Sequence, residues 1–231
     1  MQRDPRLSRG DEAVVIPGPV GALEAVVTRP STPASPAWLA VIGHPHPQMG
    51  GTLHNKVVHT LARAARDLGG IAVRFNYRGV ERSEGGYDEG VGEVADFLAV
   101  YRWALKAYQP KNSFLAGFSF GSCMAATALG QLSAEDLAPK GLLMVAPPVA
   151  RMPFDVMPSF IVPSYVLQGE EDDVVAPQDV YDWCAARADI PAEHLVRVPK
   201  ADHFFHGCLS AVKSTATQIM ADCLALEGGR L

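Results

Sequence analysis

Apolar runs of about five residues recur along this chain and alternate with stretches of helical periodicity. The run 38–43 is apolar throughout, which is typical of a strand covered on both faces. Between such runs, apolar residues return every three or four positions, as on the buried face of a helix. The pattern predicts strands at 24–28, 38–43, 71–75, 113–116, 141–146, 165–169 and 195–198, and helices from 57 to about 68, at 91–108, after 124, at 178–187 and at 209–226.

Strand and helix alternate over nearly the whole length. This order predicts an α/β fold with a mostly parallel central sheet and helices on both faces. In such a sheet, ligand sites form at the carboxyl ends of the strands. With 231 residues and no internal linker of low complexity, we expect residues 1–231 to form one domain, with 1–10 as a frayed tail.

Charge and composition narrow the functional classes. The net charge is −5 and no cluster of Lys and Arg is present, so we expect no nucleic-acid partner. No apolar stretch is long enough to cross a bilayer, and the N-terminus lacks a secretory signal, so we expect a cytoplasmic protein with no membrane contact. The scattered cysteines predict reduced thiols; they are Cys123, Cys184, Cys208 and Cys223.

The sequence Gly-Phe-Ser-Phe-Gly at 117–121 joins a predicted strand to a predicted helix. A sharp turn there would force Ser119 into strained backbone geometry and leave room only for glycine at Gly117 and Gly121. Its hydroxyl would then project beyond the sheet as a nucleophile. The pentapeptide alone arises by chance in roughly one sequence in ten at ordinary residue frequencies. A base and an orienting acid must therefore be found elsewhere.

Two later loops supply both residue types in the order serine, acid, histidine. The acidic run 170–173 follows the strand 165–169, and His203 follows the strand 195–198. Both loops should lie at the same edge of the sheet as Ser119, because parallel strands end together. A serine needs a histidine base that a carboxylate holds in one tautomer. The joint pattern therefore predicts nucleophilic catalysis.

Three further motifs extend this picture: His-Pro-His-Pro at 44–47, Gly-Gly-Thr at 50–52 and Asn-Lys-Val-Val at 55–58. Together with Phe-Asn-Tyr-Arg-Gly-Val at 75–80 and the 117–121 turn, they resemble the α/β-hydrolase superfamily, and within it the small serine hydrolases without a lid. The resemblance covers nearly all of the chain after residue 24. It implies that Ser119 is the nucleophile, His203 the base and Asp172 the orienting acid. The sequence leaves three rivals for the acid: Glu170, Glu171 and Asp173.

In this superfamily the oxyanion hole uses two backbone N–H groups. The resemblance implies Phe120, which follows the nucleophile, as one donor. The second donor comes from the loop after the 38–43 strand. Pro45 has no N–H to give, so we expect His46 in this role.

Relatives in the superfamily often carry a helical lid where this chain has residues 147–163. That segment holds five prolines and is too short for more than a loop, so we expect little or no lid and a shallow, open cleft. Five apolar side chains there would favour a small apolar acyl group: Val149, Met152, Phe154, Met157 and Phe160.

Other chemistries fit the sequence less well. The histidines at 44, 46, 54 and 59 could be metal ligands, but 54 and 59 are poorly spaced for one helix face. The turn after Gly117 lacks the further glycines of a dinucleotide-binding motif. Cys123 fits the core better than a second nucleophile. Arg74 and Arg78 could bind an acidic substrate group or only pair with Glu81 or Asp88.

These observations predict a serine hydrolase that cleaves small carboxylic esters, or thioesters or amides, through an acyl-serine intermediate, with no cofactor and no metal. Its only expected partner is a small-molecule acyl substrate. Two alternatives stay open. The same residues could transfer the acyl group to an acceptor other than water, or the fold could serve as a binding protein whose triad is unused.

Overall fold

The structure, a computed structural model, describes residues 5–8, 10–34, 37–135 and 137–225. Eight strands form one sheet in the order β1-β2-β4-β3-β5-β6-β7-β8. In chain order they are β1 (Asp11–Pro17), β2 (Ala22–Thr28), β3 (Trp38–Gly43), β4 (Ile71–Phe75), β5 (Asn112–Phe118), β6 (Leu142–Val145), β7 (Ser164–Gly169) and β8 (Leu195–Val198).

Strands β3 to β8 run parallel to one another, whereas β1 pairs antiparallel with β2, and β2 pairs antiparallel with β4. The predicted mostly parallel sheet is therefore confirmed. The register pairs Gly43 at the end of β3 with Gly117 near the end of β5. The loops that follow these two strands thus leave the sheet side by side.

Helices cover both faces of the sheet, as predicted. They are α1 (Lys56–Asp67), α2 (Val91–Tyr108), α3 (Phe120–Ala134), α4 (Pro177–Ala185) and α5 (Leu209–Leu224). Helices α1 and α5 pack together on one face, and α2, α3 and α4 lie on the other. Asn55 caps α1, since its side-chain oxygen accepts the N–H groups of Val57 and Val58.

Side-chain alternation along the strands divides the core in two. On β3, Leu39 and Val41 belong to the cluster beneath α2 and α3, whereas Ala40 and Ile42 belong to the cluster beneath α1 and α5. All four side chains are fully buried. Burial on both faces explains why this strand has no polar position.

Strand β1 is the main element absent from the sequence prediction. It lies at the edge of the sheet and is largely exposed, with Ile16 as its one buried apolar residue. Its apolar run, 13–16, is only four residues long, and Val15 within it is exposed. Arg74 of β4 binds this strand through its Nη2 atom, which donates to Asp11 Oδ2 over 2.6 Å, and both side chains are fully buried.

Parts of two sequence predictions lie outside the described residues: 1–4 and 9 of the expected frayed tail, and Leu226 of the last helix. Within the described part of the tail, Arg6 forms an ion pair with Glu81 over 2.7 Å. Between β6 and β7 the chain forms a loop that includes only one short 3-10 helix, Phe154–Val156. The prediction of little or no lid is confirmed.

Candidate active site

Ser119 occupies a sharp turn between β5 and α3, at the carboxyl edge of the sheet. Its backbone has φ +54° and ψ −120°, a conformation that costs energy for any residue other than glycine. Two contacts hold the turn. The Ser119 N–H donates to the Val145 carbonyl over 2.8 Å, and the Ser122 hydroxyl donates to the Ser119 carbonyl over 2.6 Å.

Glycines allow the backbone to pass through this turn. A Cβ atom on Gly117 would lie 2.0 Å from the carbonyl oxygen of Gly121. A Cβ atom on Gly121 would in turn lie 2.4 Å from the backbone of Gly43, at the end of β3. The loop after β3 therefore packs directly against the turn that presents Ser119.

Three of the predicted side chains meet at this edge. The Nε2 atom of His203 lies 3.2 Å from the Oγ atom of Ser119, and its Nδ1 atom lies 2.8 Å from Oδ2 of Asp172. All three residues are buried. The ionised carboxylate can only accept a hydrogen bond, so Nδ1 must carry the hydrogen. The other ring nitrogen, Nε2, is then free to accept a proton from the serine.

The backbone selects Asp172 from the acidic run. Its Oδ1 atom accepts the N–H groups of Val174 and Val175 over 2.9 and 2.7 Å, and Oδ2 faces His203. Burial raises the pKa of this carboxyl group, but the hydrogen bonds from His203, Val175 and Val174 together lower its pKa below the ordinary value. The three rival acids, Glu170, Glu171 and Asp173, are exposed.

Gln168, at the end of β7, contacts the candidate site and was not predicted from the sequence. Its buried Nε2 atom donates to Asp172 Oδ2 over 3.0 Å, and the carbonyl oxygens of Gly169 and Val175 also lie within 3.5 Å. Three acceptors around one nitrogen fix the orientation of the amide. The available signal was a polar residue in an otherwise apolar strand, next to the acidic loop.

His44 and His46 differ in environment although they are two residues apart. His44 is fully buried, with Nδ1 at 2.6 Å from the Pro45 carbonyl and Nε2 accepting the N–H of Tyr77 over 3.2 Å. Burial lowers its pKa to about 3. His44 is thus a neutral side chain that joins the loop after β3 to the loop after β4.

His46 belongs to an aromatic cluster beside Ser119. Its ring centroid lies 5.1 Å from that of Phe120 and 5.2 Å from that of Tyr87, and the Tyr87 hydroxyl lies 3.3 Å from His46 Nε2. The His46 carbonyl accepts the N–H groups of Met49 and Gly51, which closes the loop into a 3-10 turn. The two residues expected to donate to an oxyanion are therefore in contact through their side chains.

The whole chain resembles solved structures of one family. It is 37% identical to an α/β serine hydrolase without lid from Xanthomonas campestris, with a TM-score of 0.83 over 97% of this chain and 99% of that one. An α/β serine hydrolase homologue from Coxiella burnetii is 40% identical, with a TM-score of 0.80 over 91% of this chain and 97% of that one. The chain belongs to the α/β serine hydrolases. An uncharacterised protein of Rickettsia prowazekii is 32% identical over 197 residues, 81% of this chain and 79% of that protein. No protein-family profile matches the chain.

Two small cavities adjoin the candidate site of this α/β serine hydrolase. One, of about 310 Å³, is lined by Asp172, Arg151 and Val174 among others. The other, also of about 310 Å³, lies between the loops after β3 and β4, where Pro47 and Tyr87 face it. Both volumes are at the lower end of the range for ligand pockets, about 300 to 1,000 Å³.

The loop that replaces a lid in this serine hydrolase is partly built into the core. Phe154 is fully buried and packs edge-on against Trp183 of α4, with ring centroids 5.2 Å apart. Phe160 is covered by the guanidinium of Arg187 at 4.6 Å. Of the apolar residues expected to contact an acyl group, Met152 is partly exposed and would contact a Cβ atom placed on Gly90.

Three residues considered for other chemistry have structural contacts in this serine hydrolase. Cys123 is buried in α3, and burial raises the pKa of its thiol to about 12, so it is not a thiolate nucleophile.

The two arginines are engaged in ion pairs. Arg78 binds Asp96 of α2, which was not predicted, through Nη2 over 2.8 Å and Nε over 3.0 Å. Its expected partner Asp88 lies 3.5 Å away. Arg74 binds Asp11 rather than Glu81.

The histidines considered as metal ligands do not converge. Among the described residues, no three His, Cys, Asp or Glu side chains are placed to share a metal ion. His44 bonds to Tyr77, His46 faces Tyr87, and His59 lies 3.2 Å from the Ser8 hydroxyl. No helix within the described ranges is long and apolar enough to cross a membrane.

Proposed function

We propose that this chain hydrolyses small carboxylic esters through an acyl intermediate on Ser119. The observation that carries the proposal is the continuous path from Ser119 Oγ to His203 and on to Asp172, with separations of 3.2 and 2.8 Å. A serine hydroxyl is a weak nucleophile at neutral pH, and this arrangement supplies both the base and the group that orients it.

In the first step Ser119 Oγ attacks the ester carbonyl carbon while its proton passes to His203 Nε2. The imidazolium that forms is stabilised by the Asp172 carboxylate, which stays ionised. His203 then gives the proton to the departing alkoxide, and the acyl group remains on Ser119. Water then attacks the acyl carbon while His203 takes one of its protons. As the bond from the acyl carbon to Ser119 Oγ breaks, His203 returns that proton to the serine and the carboxylic acid leaves.

Negative charge on the carbonyl oxygen requires donors that are already in place. The N–H of Phe120 is one candidate, because the first residue of a helix has no partner for its N–H inside the helix. The N–H of His46 is the second, and the packing of its ring on Phe120 and Tyr87 would hold that loop in place. Both assignments are part of the proposal.

The small acyl substrate is supported by the lidless loop and by two cavities of about 310 Å³, one lined by Asp172 and the other by Tyr87 of the aromatic cluster. We further propose that residues 1–231 act as one domain in the cytoplasm, without a nucleic-acid or membrane partner. We also propose that the motifs at 44–47, 50–52 and 55–58 are characteristic of the serine hydrolases without a lid.

The direct test is labelling with a fluorophosphonate, read by intact mass. Wild-type protein should gain one adduct, Ser119→Ala should gain none, and Ser133→Ala, a serine of the same helix region, should react like wild type. With nitrophenyl acetate as substrate, His203→Ala should lose at least about a thousandfold in kcat. An unlabelled wild type would contradict the mechanism and favour a binding protein instead.

Product analysis distinguishes hydrolysis from acyl transfer. With nitrophenyl acetate and added short alcohols or amines, the proposal expects free acetate as the main product. Acetylated acceptor as the main product at millimolar acceptor would assign the same three residues to a transferase.

A further inference from the structure

A cavity of about 410 Å³ opens between the N-terminal segment, α1 and the start of α5, and no residue of the proposed triad lines it. Four of its lining residues are cations: Arg6, Lys56, Arg63 and Arg74. None of the described lining residues is a carboxylate. This contrasts with the chain as a whole, which carries a net charge of −5.

Two of the four charges are already neutralised from outside the lining. Arg74 is paired with buried Asp11, and Arg6 is paired with Glu81. Lys56 and Arg63 are exposed, and within the described part of the chain neither forms an ion pair. The cavity therefore holds two positive charges, those of Lys56 and Arg63, that no ion pair with a described residue neutralises.

These two cations lie on the same side of α1 as His59, since positions 56, 59 and 63 are spaced by about one and two helical turns. His59 is half-buried, and its pKa is lowered by burial, then by Arg74 and, more weakly, by Arg63 and Arg66. Asp11 acts in the opposite direction but does not reverse the shift. Burial is the largest cause of this shift, and the cations around the imidazole act in the same direction.

We propose that this cavity binds a doubly charged oxyanion of the phosphate-monoester type. Lys56 and Arg63 match its two charges, and the Thr60 hydroxyl on the same helix can donate to a phosphate oxygen. The volume exceeds the needs of an inorganic ion and lies within the range for organic ligands. The site is separate from Ser119 and does not depend on the proposed hydrolase activity.

Isothermal titration calorimetry with phenyl phosphate and with inorganic phosphate, at constant ionic strength set by sodium chloride, tests the proposal. Wild type and Ser119→Ala should bind phenyl phosphate with the same Kd. Removing both charges in Lys56→Gln/Arg63→Gln should weaken binding about tenfold or more. Lys106→Gln/Lys111→Gln, which removes two exposed charges elsewhere, should bind as wild type does.

The comparison of the two probes identifies the source of the anion. Tighter binding of phenyl phosphate supports a phosphate ester as the ligand, whereas equal Kd values support free phosphate at the same site. No heat with either probe overturns the proposal, and so does an unchanged Kd in Lys56→Gln/Arg63→Gln. Circular dichroism checks that variant's fold, and Arg63→Gln alone, with a smaller loss, serves in its place if the double variant unfolds.

Discussion

At the scale of single residues, His44 shows how burial determines protonation. Its folded pKa is about 3, whereas an unfolded histidine titrates near 6.5. The folded state therefore binds fewer protons than the unfolded state between these values. The stabilisation is fully present above about pH 6.5 and is lost as the pH falls towards 3.

We expect the free energy of unfolding of the wild type to fall by about 2 kcal/mol between pH 7.5 and pH 5 through His44 alone. His44→Gln should be less stable at pH 7.5, because the bonds to Pro45 and Tyr77 are lost, but its stability should vary less over this range. Urea unfolding at both pH values measures the difference. A variant that retains the whole wild-type slope would exclude His44 as the titrating group.

Asp172 and Asp173 are adjacent acids with different environments. Asp172 accepts from His203 and two backbone N–H groups, whereas Asp173 is exposed. Asp172→Asn should lower kcat for nitrophenyl acetate by about a hundredfold to ten-thousandfold, because the amide favours the wrong histidine tautomer. Asp173→Asn should stay within about twofold of wild type. Equal losses in the two variants would mean that the acid had been wrongly assigned.

At the scale of elements, the turn between β5 and α3 depends on the absence of a side chain at Gly117. Gly117→Ala would place a methyl group 2.0 Å from the backbone oxygen of Gly121, which cannot move without opening the turn. We expect a loss of about 1–3 kcal/mol in the free energy of unfolding, together with loss of fluorophosphonate labelling at Ser119.

A second glycine in the same region offers the matched control. Gly130 lies within α3, is exposed, and an added Cβ atom would meet only Pro158, at 3.7 Å. Gly130→Ala should raise the free energy of unfolding by about 0.5–1 kcal/mol, since alanine favours the helix. Thermal or urea unfolding of both variants decides whether close packing, rather than the loss of a glycine as such, causes the effect.

Strands and helices with one or two buried faces could be predicted from the sequence, whereas the exposed edge strand β1 could not. The apolar run at β3 predicted its strand with the observed limits, 38–43. Strand β1 was not predicted, because its apolar run, 13–16, is short and does not alternate with polar residues, and Ile16 is its one apolar residue in the core. Its place in the sheet depends on a local hairpin with β2, in which Pro17 pairs with Ala22, and on the buried contact from Arg74 to Asp11, which joins residues 63 positions apart.

At the scale of the whole molecule, a buried ion pair fastens the loop after β4 to α2. The Asp96 carboxylate accepts the Arg78 backbone N–H and two guanidinium N–H groups over 2.8–3.0 Å. Asp96→Asn should cost about 3 kcal/mol, because it removes the buried carboxylate that binds the guanidinium through two bonds and leaves only the exposed Asp88 at 3.5 Å. In the exposed pair Arg102–Glu135, Glu135→Gln should cost less than about 0.5 kcal/mol. Urea unfolding of Asp96→Asn and Glu135→Gln measures both losses in the free energy of unfolding. Similar losses would rule out burial as the cause of the difference.

The sequence order of serine, acid and histidine located the three side chains that meet, because parallel strands place their following loops at one edge. It could not choose among four neighbouring acids, since that choice depends on which carboxylate accepts the N–H groups of Val174 and Val175. Nor could it find Gln168 or Asp96. The partner of Asp96 is Arg78 in a separate segment, the loop after β4. Gln168 bonds to Asp172 only four residues further on, but the contact exists only once the loop after β7 has folded.

The loop between β6 and β7 has a consequence for the kinetics of the proposed reaction. Only a three-residue 3-10 helix interrupts it, and Phe154 anchors that helix in the core. We therefore expect a substrate to reach Ser119 without a hinge motion of this loop. With a sparingly soluble ester, the initial rate should follow the dissolved monomer and level off at the solubility limit. A sudden rise in rate as droplets or micelles form would show that a surface-triggered opening step exists after all.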